Sequence, residues 1–375
     1  MTVPATPTDE ESQSKEGSAY SDESEGGRFT FESVARIGPP DCGEPVLFYR
    51  RTATHGPVHG LISPRDAAEA AIYAIMAATA AIRPPAVWPG LCHRTAQIGR
   101  ARRIRTRLGE FGEAVRAVLG DVSDRDIETW FDRWWENLHR RRMMLVREYV
   151  GHGPVRFTLT GRDHLDAALA LGRGAILWAA EFIPQTLAGK RGLFESGIHA
   201  YQVSALFHGF RNTRFGNVFL NKPLVNAENR YLGGRLVFES DEAGMLVRRI
   251  IRLLKSGAVV ILTNNNYAGR SFIQMPFGAR GYTSMATTPI VLALMGKVPL
   301  LYMSTIEREP LAHYDIRFSS DLAAGEIAAG SASDDFAATA RIALRARDEL
   351  LTDLRKAPDQ YRNWLPHARP IVRES

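Results

Sequence analysis

From residue 155 onward the sequence alternates short apolar runs with amphipathic stretches, the pattern of a sheet whose strands are joined by crossover helices. Arg162 to Leu171 reads as a helix and Gly172-Arg173-Gly174 as a turn, and Ala175 to Ala180 reads as a buried strand with Glu181 at its carboxyl end. A second unit follows. A basic amphipathic helix from Met245 to Lys255 carries Arg248, Arg249 and Arg252, stops at Gly257 and leads into a strand from Ala258 to Thr263. The expected fold class is therefore α/β over residues 151–375. Ligands of open α/β sheets collect at the carboxyl ends of strands, which makes Glu181 and the Asn264-Asn265-Asn266-Tyr267 run after the second strand candidate site residues.

The residues before this domain read differently. Residues 1–30 hold seven acids (Asp9, Glu10, Glu11, Glu16, Asp22, Glu23, Glu25) against Lys15 and Arg28, with almost no apolar content, and are expected to be a disordered acidic leader. They lack the positive start and apolar run of a signal peptide. Residues 31–150 are expected to form a helical region. One helix begins where Ser63 can cap, Pro64 fits the first turn and Asp66 closes a box, and it ends at Ile82 before Pro84-Pro85. Its uncharged run from Ala70 to Ile82 is 13 residues long, short of the roughly 20 needed to cross a bilayer. Such a helix packs on the domain or lies in an interface.

The net charge of +6 combines this leader, at −5, with a body at +11. A body this basic suits an anionic partner: a phospholipid head group, a nucleotide, an acidic carrier protein or RNA. Two clusters stand out. Between Arg94 and Arg107 there are six arginines and no acid, and Arg140-Arg141-Arg142 follow the aromatic stretch Trp130-Phe131-Asp132-Arg133-Trp134-Trp135. They fit a membrane surface, a phosphate-bearing donor or RNA, and equally a solvated helix face. Two cysteines, Cys42 and Cys92, make no disulfide framework or metal cluster, so a reducing, cytoplasmic compartment is the default.

Later motifs occur in a definite order: Gly233-Gly234-Arg235-Leu236-Val237, the helix from Met245, the strand ending in Asn264, a Met275-Pro276-Phe277-Gly278 turn, and Pro358-x-Gln360-Tyr361-x-x-Trp364 with His367 and Arg369-Pro370. Over about residues 95–370 this order resembles the late acyltransferases of lipid A biosynthesis, within the lysophospholipid acyltransferase-like superfamily. The resemblance implies a mixed sheet flanked by helices and preceded by a helical region. It also implies an acyl donor (an acyl carrier protein or a coenzyme A thioester), a lipid or small-molecule acceptor, no cofactor, and contact with the inner face of the cell membrane. That family places a His-x-x-x-x-Glu or His-x-x-x-x-Asp motif at the first strand exit, with the His as general base. Here the string is Glu181-Phe182-Ile183-Pro184-Gln185-Thr186, and the family's Asp-Gln-Asp is Asn264-Asn265-Asn266.

These departures set the chemical expectations. A hydroxyl acceptor needs a base, and a carboxylate serves only if its surroundings raise its proton affinity. Glu181 is expected in that role, or as a polar strand-end residue that caps the next helix. His208 is the candidate for a displaced base, or a satisfied structural histidine. Asn264 to Asn266 can donate to an oxyanion, or form a tight turn. Thr186, Arg211, Arg214 and Tyr267 complete the expected substrate-binding set, the arginines facing a donor phosphate or simply solvent. An amine or hydroxylamine acceptor is already nucleophilic and needs mainly positioning, so an aminoacyl-tRNA donor is a second reading. A catalytically inactive lipid- or carrier-binding homologue is a third. No phosphate loop, Gly-x-Ser-x-Gly elbow or His-Glu-x-x-His is present, so nucleotide hydrolysis, serine hydrolysis and zinc chemistry lack support.

Overall fold

The computed structural model describes residues 29–38, 45–54, 60–151, 153–205, 213–238, 243–263, 271–364 and 367–369. The acidic leader falls outside them, apart from its last two residues. The chain opens with two strands, β1 (Phe29–Ile37) and β2 (Val46–Thr54), followed by the helices α1 (Pro64–Ile82), α2 (Trp88–Gln97), α3 (Arg100–Arg103), α4 (Gly109–Leu119) and α5 (Asp124–Val150). Then come β3 (Arg156–Thr160), α6 (Arg162–Ala170), β4 (Ala175–Ala179), α7 (Ala188–Glu195), β5 (Tyr201–Ala205), α8 (Lys222–Asn229), β6 (Gly234–Phe238), α9 (Ala243–Lys255) and β7 (Val259–Thr263). A hairpin of β8 (Ser271–Phe277) and β9 (Gly281–Ala286) leads through α10 (Thr288–Gly296) to β10 (Leu300–Glu309) and β11 (His313–Asp321). The described chain ends with α11 (Ala324–Ala328), α12 (Phe336–Lys356) and a short 3-10 turn at Pro358–Gln360.

The main sheet has seven strands in the order β3-β11-β10-β4-β7-β5-β6. Strands β10, β4, β7, β5 and β6 run parallel, and β11 is antiparallel to β10. It is thus a mixed sheet flanked by helices, as the α/β pattern of the sequence predicts. Strand β4 is buried on both faces, so its side chains sort by alternation. Ile176, Trp178 and Ala180 join the core shared with α9, α10 and α12, while Ala175, Leu177 and Ala179 join the core under α6 and Leu193 of α7.

Two strands stand where a helical region is expected. Strands β1 and β2 pair with the hairpin β8–β9 in a second, antiparallel sheet of order β1-β2-β8-β9. Residues on both sides of position 150 also share one core: Phe111, Val115, Ile127 and Phe131 pack in the same cluster as Trp178, Phe182, Tyr361 and Trp364. The helices before residue 150 are therefore walls of the sheet domain, with no core of their own that stops at that position.

Helix α1 carries the expected start. Ser63 and Asp66 form a full capping box, and Pro64 occupies the first helical position. Its buried residues are Asp66, Met76 and Ala80, on the side facing α5, where Glu69 pairs with Arg142. Among the described residues no helix is long and apolar enough to cross a membrane.

Candidate functional site

The site is built at the carboxyl edge of the main sheet. Strands β4 and β7 are parallel neighbours, and the carboxyl ends of such strands are the usual ligand position in open α/β sheets. Ala179 pairs with Thr263 at this edge, so Glu181 emerges beside the end of β7. After β4 the backbone turns sharply: Phe182 N donates to Ala180 O at 2.9 Å, and a 3-10 turn spans Ile183–Thr186. Buried Gln185 accepts from Thr305 Oγ1 at 2.5 Å, which fixes the turn against β10. Gly189 is required by this contact, because a Cβ there would lie 2.7 Å from both the Gln185 amide and Thr305 Oγ1.

The C-terminal segment closes over the β4 exit. Arg362 N donates to Glu181 O at 3.0 Å, and the Asn363 side-chain amide donates to Glu181 Oε2. Phe182 forms a bridge with Tyr361, their rings meeting edge-on at 5.6 Å. Helix α5 anchors the segment at two points, and a third bond lies within it. Trp134 Nε1 donates to Tyr361 O at 2.8 Å, Asn137 donates to Asp359 O at 2.8 Å, and Trp364 Nε1 donates to Pro358 O at 2.8 Å. Gln360 joins β10 by accepting from Glu307 N at 2.7 Å and donating to Glu307 O at 2.8 Å. Behind it, His367 Nδ1 lies 2.8 Å from Tyr282 O, so this nitrogen carries the proton and Nε2 accepts from Tyr361 OH at 2.9 Å. Burial pulls the His367 pKa down to about 4, which keeps the ring neutral.

Glu181 is half-buried, less enclosed than a strand-end carboxylate inside an apolar pocket would be. Among the described residues its carboxylate meets no cation, and Asn363 is its one hydrogen-bond partner. One oxygen is thus oriented by an amide, and among the described residues the other has no hydrogen-bond partner. Thr186 is half-buried at the end of the turn that follows. Arg214 is exposed; its amide donates to Gly60 O at 3.1 Å, which places it beside the entry to α1. His208, Arg211, Asn264, Asn265, Asn266 and Tyr267 lie outside the described residues.

The arginine clusters need correction. Helix α5 is packed against several neighbours, and its Arg140-Arg141-Arg142 run points into them. Arg140 pairs with Glu136 and, at 2.7 Å, with Glu307; Arg142 pairs with Glu69 at 2.7 Å. Burial pulls the Arg141 guanidinium down to about 10, with Arg362 the next contributor. Arg141 lines a water-sized cavity of about 10 Å³ behind the β4 exit, with Ile183, Pro184 and Glu307. In the first cluster Arg100 holds Asp132 and Glu128, and Arg103 stacks over Trp135 at 4.6 Å. These side chains tie α3 to α5. Arg94, Arg102 and Arg105 remain exposed. Cys92 is buried and its thiol is pushed up to about 12 by burial, which makes it inert.

Asn363 is the site residue that the sequence does not single out. Its only signal is its place inside the Tyr361-x-x-Trp364 motif, at a position the motif leaves unspecified. Neither a known protein family nor a curated protein matches this chain.

Proposed function

We infer that the chain is an acyltransferase that moves an acyl group from an activated donor to a hydroxyl or amino acceptor at the ends of β4 and β7. The observation that carries this reading is the Glu181 carboxylate, oriented by Asn363 and free of any cation among the described residues. A carboxylate so placed takes the acceptor's proton as the acceptor oxygen or nitrogen bonds to the donor carbonyl carbon. When the tetrahedral adduct collapses, the carbon–sulfur bond of a thioester breaks and the proton returns from Glu181 to the departing thiolate. No net proton is gained or lost, and no cofactor enters. The donor of this first reading is an acyl carrier protein or coenzyme A thioester, and the acceptor is a glycolipid or a specialised metabolite. Asn264 to Asn266, next in sequence after β7, would supply the donors to the oxyanion.

An acceptor that is already a good nucleophile suits a half-buried carboxylate better than an alcohol does, since less proton affinity is asked of the base. That favours an amine or hydroxylamine, and with it the aminoacyl-tRNA donor as the second reading. The pairing of Arg100, Arg140 and Arg142 with carboxylates offsets part of the cationic surface that a tRNA would use and weighs toward the thioester donor.

Intact-mass comparison of metabolites from cells with and without the protein tests the reading. The expected result is a pair of masses that differ by one acyl or aminoacyl residue, the heavier present only with the protein. Ribonuclease added to a crude assay then separates the donors: activity that survives belongs to a thioester, and activity that vanishes belongs to a charged tRNA. No acylated mass in any extract leaves a binding homologue as the better account.

A further inference from the structure

A second cavity shares no residue with the Glu181 site, and what it can bind does not depend on the catalytic reading. Its volume is about 420 Å³, within the roughly 300–1,000 Å³ of small-molecule sites. The end of α4, the β8–β9 turn and the second half of α12 form its walls. Val118, Leu119, Pro276 and Leu351 give it an apolar lining.

Two arginines line the cavity, and no carboxylate does. Arg347, Leu351 and Arg355 follow one another at intervals of four residues, so they share one face of α12. The helix meets the main sheet by another face, where Asp353 pairs with Arg317 at 2.8 Å. The two lining guanidiniums differ. Arg347, its side chain 15% exposed, pairs with Asp348 at 2.8 Å, and its Nη1 donates to Pro276 O at 3.4 Å. Arg355 is exposed, and among the described residues it has no hydrogen-bond or ion-pair partner. Lys356 beside it pairs with Asp353 at 3.7 Å and already supplies a cation to the helix end. Of the two arginines, Arg355 is the one left without a counter-charge.

The α4 side of the cavity does not oppose an anion. A helix ends in carbonyl oxygens that repel negative charge. At α4 the hairpin amides take two of them: Ala279 N donates to Val118 O at 3.0 Å and Arg280 N to Ala117 O at 2.7 Å. The same bonds fix the turn, whose Gly278 comes too close to Val118 O to bear a side chain. A free guanidinium presents a planar fork of N–H donors that matches a carboxylate. One such fork beside apolar side chains suits a single carboxylate on an apolar body. A dianion would leave its second charge unmet, since Arg347 is held by Asp348.

We propose that this cavity binds a small organic carboxylate, its charge on Arg355 and its apolar body against Val118, Leu119, Pro276 and Leu351. The test is isothermal titration calorimetry of the full chain with 2-naphthoate, with the neutral 2-naphthamide and with inorganic phosphate. Saturable binding of 2-naphthoate, at least tenfold weaker binding of the amide and no binding of phosphate are the expected results. Arg355→Gln, a change at an exposed position, should weaken 2-naphthoate at least tenfold. Ala279→Trp, which fills the cavity from its rim, should abolish binding while Arg355 stays in place. Circular dichroism melts show whether each variant remains folded. Absence of saturable 2-naphthoate binding overturns the proposal, as does equal binding of the amide or binding unchanged in either folded variant. Phosphate binding that Arg355→Gln removes would assign the cavity to bare anions and overturn the ligand class.

Discussion

Asn363 reaches across 182 residues of sequence to donate its side-chain amide to the carboxylate of Glu181. The neighbouring backbone repeats the contact through Arg362 N, so the C-terminal segment holds both the main chain and the side chain of the residue at the β4 exit. Acting through Glu181, Asn363 is a positioning residue, which makes its role separable from the fold. Asn363→Ala should lower product formation by about 10- to 100-fold, the usual range for loss of an orienting hydrogen bond at a catalytic group. Its melting temperature should stay close to that of the parent, because the segment keeps its anchors at Trp134, Asn137 and the Glu307 backbone. Asn363→Gln should restore part of the activity.

Glu307, whose backbone holds Gln360 of that segment, carries a buried carboxylate network of its own. Its carboxylate meets Arg140, accepts from Leu311 N at 2.6 Å and lies 3.0 Å from Tyr314 OH, all in buried surroundings. Glu307→Ala would leave a buried donor at each of these places and an ion pair broken on one side. A loss of about 3 kcal/mol in a denaturant melt is expected.

The Pro276-Phe277-Gly278 turn has a steric reason for its glycine. Gly278 has φ +73°, and a Cβ there would stand 1.9 Å from Val118 O, where Ala279 N also donates at 3.0 Å. Gly278→Ala must both strain the backbone and push the β8–β9 turn off α4. A destabilisation of about 3 kcal/mol should appear as a lowered unfolding midpoint.

Two buried histidines lower stability as the pH falls. Burial lowers His367 to about 4 and His139 to about 3, with Arg142 adding to the effect at His139. The unfolded chain binds these protons near pH 6.5, the folded chain only well below that. Both contributions are thus fully present above about pH 6.5 and are lost progressively as the pH falls toward about 4 and about 3. Stability should fall by as much as about 1.4 kcal/mol per pH unit for each histidine across that window. Replacing His367 with Gln should flatten the slope of a pH series of denaturant melts by about one proton.

What the sequence disclosed was local. The start of α1 was legible because Ser63, Pro64 and Asp66 act on one another within four residues, and β4 was legible because a strand covered on both faces needs an unbroken apolar run. Strands β1 and β2 were not legible, since their sheet is completed by β8, some 220 residues later. Arg140 and Arg142 resemble a surface patch in sequence because their partners, Glu307 and Glu69, come from distant elements. The same holds for Glu181. Its place at a strand end follows from the local pattern, whereas the residue that orients it comes from the other end of the domain.

The most direct test of Glu181 as the base is the amount of acylated product in cells that carry the parent chain, Glu181→Gln or no copy, measured by intact mass at matched protein levels. Gln keeps the shape and can still accept from Asn363, but it cannot take a proton. Glu181→Gln is predicted to lower the product at least about 100-fold while the protein stays folded. Product at the parental level in that variant would contradict the assignment.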